Sequence, residues 1–74
     1  IIINPNPFKD KLIIDSKKHD LLEIVLYDTA SRKLLQQKFT NSVTINTEQL
    51  ARGLYLFEVR DKNGLCKKGK LVKD

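Results

Sequence analysis

The sequence predicts an all-β fold, a sandwich or a barrel. Apolar and polar residues alternate at a period of two in several short runs, and those runs are bounded by Pro, Asn, Asp and Gly. Helix-period stretches are nearly absent, and 74 residues leave room for one domain only. A chain this short buries roughly 60% of the surface its unfolded form exposes, so the core is expected to be thin. With 41% hydrophobic residues and no low-complexity tract, the chain should nonetheless fold.

The first run, Ile1-Ile2-Ile3, is stopped by Asn4-Pro5-Asn6-Pro7, because each proline lacks an N–H and pushes its predecessor toward extended geometry. A rigid elbow should follow, with Phe8 covering the corner. Lys11 to Asp15 reads as the second strand with Leu12 and Ile14 on one face. The polar run Ser16 to Asp20 is a loop, and Leu22, Ile24 and Leu26 form an inward row in the strand that ends at Tyr27. Asp28 to Arg32 is a turn into Lys33 to Phe39, where Leu35 and Phe39 are the better core candidates beside an ambiguous Leu34.

Thr40-Asn41 turns the chain into Ser42 to Asn46, a half-buried strand with Val43 and Ile45 on one face. Asn46 to Leu50 is expected to form a single helical turn, capped by Asn46 or Thr47, with Leu50 pointing to the core. Gly53 should end that turn with a positive φ and open the strand Leu54 to Arg60, whose Tyr55, Phe57 and Val59 face inward. Asn63-Gly64 predicts a type I′ hairpin turn that folds Leu65 to Lys73 back on that strand.

The net charge is +5, from fourteen Lys and Arg against nine Asp and Glu, and the excess lies at the end in Lys67, Lys68, Lys70 and Lys73. Their alternation with Gly69, Leu71 and Val72 fits the wet side of an edge strand. Cys66 is the single cysteine and His19 the single histidine, so neither an internal disulfide nor a clustered metal site is expected. No Ser-His-Asp set, Cys-His pair or phosphate-binding glycine run is present. Asp15, Asp28, Glu58 and Asp61 sit beside turns or on outward strand positions, which turn formation and solvation explain. We therefore expect no enzyme, no cofactor and no metal. Beginning within an apolar run and without Met, the chain is expected to have been cut at Ile1 from a larger protein.

Three features exceed what a plain sandwich needs: Pro5-Asn6-Pro7, the passage Leu50-Ala51-Arg52-Gly53-Leu54-Tyr55, and the basic terminal strand. Together they resemble the type A C-terminal sorting domain of type IX secretion cargos. Ile3 to Phe8 and Leu12 to Ile14 match that family's extended run, Pro-Asn-Pro-Phe and alternating strand. Leu26 to Lys33 matches its middle turn except at Ser31, where Gly is usual. Either that turn depends less on positive φ here, or Ser31 adopts it at some cost. Leu50, Gly53 and Tyr55 match Leu-Pro-Ala-Gly-X-Tyr, with Ala51 and Arg52 replacing Pro and Ala. Asn63-Gly64 and Lys70 to Asp74 are similar to the closing segment, so the resemblance spans essentially the whole chain.

The resemblance implies an Ig-like β-sandwich of about seven antiparallel strands, spanning residues 1–74 at the end of a larger exported protein. It implies a sorting signal that waits in the periplasm and is bound by type IX outer-membrane components. The upstream cargo crosses to the surface or is secreted, and a surface sortase removes the domain. The expected recognition residues are Pro5, Asn6, Pro7, Gly53, Tyr55, Lys67, Lys68, Lys70 and Lys73. The proline, asparagine, glycine and tyrosine would act through shape. The lysines would steer the terminal hairpin, as a free edge, toward an acidic receptor strand. A weak homodimer through edge strands is a further expectation. An ancillary Ig-like or fibronectin-like sandwich binding a carbohydrate or protein is the alternative, and would want exposed aromatics. A nucleic-acid binder would want basic strands interleaved with aromatics, which the sequence lacks.

Overall fold

The computed structural model describes residues 1–17 and 19–74. Lys18, within the expected loop from Ser16 to Asp20, lies outside the described residues. Among the described residues seven strands run in chain order: β1 (Ile2–Asn4), β2 (Lys11–Asp15), β3 (Leu21–Tyr27), β4 (Lys33–Thr40), β5 (Ser42–Asn46), β6 (Gly53–Asp61) and β7 (Gly64–Lys73). They form two antiparallel sheets, β1-β2-β5 and β4-β3-β6-β7. This is an Ig-like sandwich, and it bears out the all-β expectation.

Strand parity builds the core. Leu12 and Ile14 from one sheet meet Leu22, Ile24, Leu26, Phe57 and Val59 from the other, and all are buried. Phe8 is fully buried between the sheets, Phe39 is buried, and Leu35 packs partly buried against the core, as expected. Val25 is buried on the opposite face of β3, because its central strand places it between Gln36 of β4 and Glu58 of β6. Leu34 is exposed beside a register shift at Leu26/Tyr27.

Two local expectations are corrected. The segment after β5 is a turn and not a helical one: the Leu50 amide donates to the Thr47 carbonyl at 3.1 Å, and the Glu48 amide to the Asn46 side chain at 2.9 Å. Thr47 is buried, and its amide and hydroxyl donate to the carbonyls of Asp10 and Lys9. These long-range bonds tie the turn to the segment before β2.

The β6–β7 connection is not type I′, which demands positive φ at both loop residues. Only Gly64 is positive, at 119°, while the Asp61 carboxylate accepts from the Asn63 amide at 2.7 Å. The register then steps past Cys66, since Val59 pairs with Lys67 and Arg60 with Leu65. Ser31 takes the positive φ of a glycine, 63°, in a turn held by the Asp28 carboxylate. That carboxylate accepts from the amides of Ala30 and Arg32, both at 2.9 Å.

Candidate recognition site

The antiparallel registers bring the end of β1, the start of β2, the end of β5, the start of β6 and the end of β7 to one pole of the sandwich. Ile1 lies at the other, its carbonyl accepting from Lys67 Nζ at 3.0 Å. The elbow crosses from the β1 sheet to the free side of β7. There the Phe8 amide donates to the Val72 carbonyl, and the Asp74 amide to the Phe8 carbonyl, both at 2.9 Å in a parallel bridge. Asn6 completes the strap by accepting from the Val72 amide at 3.0 Å. Both Asn4–Pro5 and Asn6–Pro7 are cis, and Pro5 and Pro7 are exposed.

Gly53 has φ of 140° and open space where a Cβ would stand, so backbone geometry alone selects glycine there. Tyr55 follows in β6, and its hydroxyl donates to the Ala51 carbonyl across the turn. This is the tyrosine corner of Ig-like sandwiches, at the start of the strand equivalent to F. The Tyr55 ring tilts against Phe8 with centroids 6.1 Å apart, joining corner to elbow.

The four terminal lysines do not form one wet stripe, because strand parity splits them. Lys67, Gly69, Leu71 and Lys73 pair with Val59, Phe57, Tyr55 and Gly53 on the inner face, while Lys68 and Lys70 face outward. Lys73 is only 9% exposed. Its Nζ donates to the carbonyls of Thr47, Glu48 and Leu50 at 2.5, 3.3 and 2.7 Å. The strand's inner end lies under the turn, which is why Lys73 leaves solvent. Lys67 escapes burial at the opposite pole. Gly69 is needed for space, since a Cβ there would stand 2.9 Å from the Phe57 ring.

The free-edge expectation is also corrected in part. Beyond β6, β7 meets the elbow over Val72 to Asp74, and no other strand pairs with it along Leu65 to Lys70 among the described residues. The outer face there carries Leu54 and its partner Val72, both exposed, with Lys70 and Lys68 following along the strand. Glu58 lies opposite Lys68, and hydrogen bonds from the Arg60 guanidinium and the Tyr27 hydroxyl hold its carboxyl below the usual range. Partial burial and that same bond push the Tyr27 phenol up. Of the aromatic residues, Phe8, Phe39, Tyr55 and Phe57 are buried and Tyr27 is half-buried, so none offers the open stacking platform a sugar-binding sandwich would use.

Asn6, Pro7, Gly53, Tyr55 and Lys73 are thus gathered at one pole, Lys70 borders it, and Lys67 and Lys68 lie farther along β7. Sequence reasoning missed Thr47, Val72 and the inward turn of Lys73. The alternation through Leu71 to Lys73 already carried the last, since Leu71 and Lys73 must share a face.

An Ig-like sandwich with far-separated motif segments strapped together at one pole is a small β-sandwich module. The chain matches the family model of the secretion system C-terminal sorting domain over residues 2–74 and belongs to that family. It is a C-terminal sorting signal of type IX secretion, a pathway that takes cargo across the outer membrane and whose machinery the domain engages. No curated protein matches the chain.

Proposed function

We propose that this chain is a folded, non-enzymatic address whose motif pole, with the adjoining edge of β7, is the surface read by type IX outer-membrane components. The upstream cargo enters at the opposite pole beside Ile1, waits with the domain in the periplasm, and is separated from it by a surface sortase acting before β1. The carrying observation is the bonding of Asn6 and Phe8 to Val72 and Asp74, which makes one surface of segments from both ends of the chain. Strand addition by the receptor is confined to Leu65–Lys70, since the elbow holds the last residues. Lys68 and Lys70 supply steering charge there, so binding weakens as salt rises. Pro5, Asn6, Pro7, Gly53 and Tyr55 shape the pole, and Lys67 anchors Ile1.

Export of a passive periplasmic reporter fused ahead of residues 1–74, in hosts with and without the type IX apparatus, tests this reading. Deleting Lys70 to Asp74 removes buried Leu71 and so damages the core, which makes point variants the better probes. Apparatus-dependent export that falls in the Lys68→Ala, Lys70→Ala double variant while the fold persists is the expected result. Undiminished export of that variant removes the edge from the reading, and retention of every fusion removes the reading itself.

A further inference from the structure

A buried ammonium whose three donors all go to main-chain carbonyls, with no carboxylate among them, is an unusual use of a lysine. The carbonyls of Thr47, Glu48 and Leu50 converge at the turn before β6, and Lys73 Nζ sits where they meet. The same turn is tied to the elbow by Thr47, through Lys9 and Asp10, and leads into the tyrosine corner at Ala51. Lys73 belongs to β7, whose neighbouring residues Val72 and Asp74 hold Asn6 and Phe8. The Lys73 side chain therefore joins the corner to the terminal strand, and the elbow is bonded to each of them separately.

We propose that Lys73 is a positioning residue: its ammonium serves as an internal ligand that holds the corner from residue 47 to 53 against the terminal strand. The last residues then act on sorting through the shape of that corner and not through contact by Lys73 itself. The link to export rests on the reading of this pole as the recognised surface; the latch itself does not. A loss of the ammonium leaves three carbonyls without their charged donor and opens the corner locally, while β3 and the middle of β6 remain packed.

The test is amide hydrogen exchange on the 74-residue chain, wild type beside Lys73→Met, paired with export of the matching reporter fusions at a temperature where both stay folded. In Lys73→Met the amides of Leu50 and Asp74 should exchange about tenfold to hundredfold faster with β3 unchanged, and export should fall in parallel. Lys73→Arg, which keeps a cation, should recover part of both readouts, and it carries the test if Lys73→Met does not fold. Unchanged exchange at Leu50, or a uniform loss of protection across every strand, overturns the latch. An opened corner with undiminished export overturns its role in sorting. Retention of the wild-type fusion beside an opened corner in Lys73→Met strikes the reading of the pole and leaves the latch standing.

Discussion

The Val72 amide and the Asn6 side-chain oxygen, 66 residues apart in the chain, are joined by a hydrogen bond of 3.0 Å. It fills an outward donor of the last strand that would otherwise face solvent, and it fixes the elbow's approach to β7. Asn6→Ala should lower stability by about 0.5–1.5 kcal/mol, read as a shift of the urea midpoint at unchanged slope. An unaltered midpoint would show that water replaces the asparagine at no cost.

Tyr55→Phe keeps the ring against Phe8 and removes only the hydroxyl that donates to Ala51. A loss of about 1–2 kcal/mol is expected, with an unperturbed core in the side-chain methyl spectrum. A neutral result would assign the motif tyrosine to packing alone.

The glycines at 53 and 69 should fail for different reasons. Gly53→Val finds open space at its Cβ and strains the backbone through the positive φ, at about 1–3 kcal/mol, so the domain should still fold and its export reports on the pole. Gly69→Ala keeps an ordinary backbone and presses on Phe57, an overpacking cost of about 1–3 kcal/mol that should shift the Phe57 ring resonances. A structure of Gly69→Ala with Phe57 unmoved would refute the steric reading.

Glu58 and Asp28 both titrate below the ordinary carboxylate range, Glu58 through Arg60 and Tyr27, and Asp28 chiefly through the Arg32 amide. A carboxyl lowered in the folded state contributes stability above its unfolded value, about 4.3 for Glu and 3.9 for Asp. That contribution is lost as pH falls through the folded value. Tyr27 is raised, so its contribution is complete below about 10 and disappears as pH climbs through its folded value. Melting temperature against pH should fall at both ends, and Glu58→Gln should flatten the acid limb. A Glu58→Gln profile that matches wild type would deny Glu58 this role.

The strands, their inward rows and the turns around Asn41 and Gly53 were legible because period-two alternation and turn residues act locally. By charge alone the four lysines read as one stripe, but strand parity divides them, and the buried Leu71 between Lys70 and Val72 sets the face of Lys73. Asn63-Gly64 suggested the commoner two-residue turn, whereas Asp61 pairs with Gly64, which leaves Lys62-Asn63 as the loop and the positive φ on Gly64 alone. Thr47 and Asn6 could not be placed, since their partners Lys9 and Val72 lie 38 and 66 residues away and no local pattern encodes such pairs. The motifs' order along the chain hinted at a shared surface, but only folding shows that they touch.

Because Asn6 and Phe8 grip the last strand while β1 begins at the other pole, the elbow acts as a mechanical linkage. Tension applied at Ile1 and directed away from the sandwich first peels β1 from β2, and then meets the elbow's bonds to Val72 and Asp74. A load on the first strand is delivered to the last one once Ile1 and Ile3 have left their packing against the core. The two ends of the chain thus share one failure point, and force-extension records should show an early, small yield that Asn6→Ala lowers.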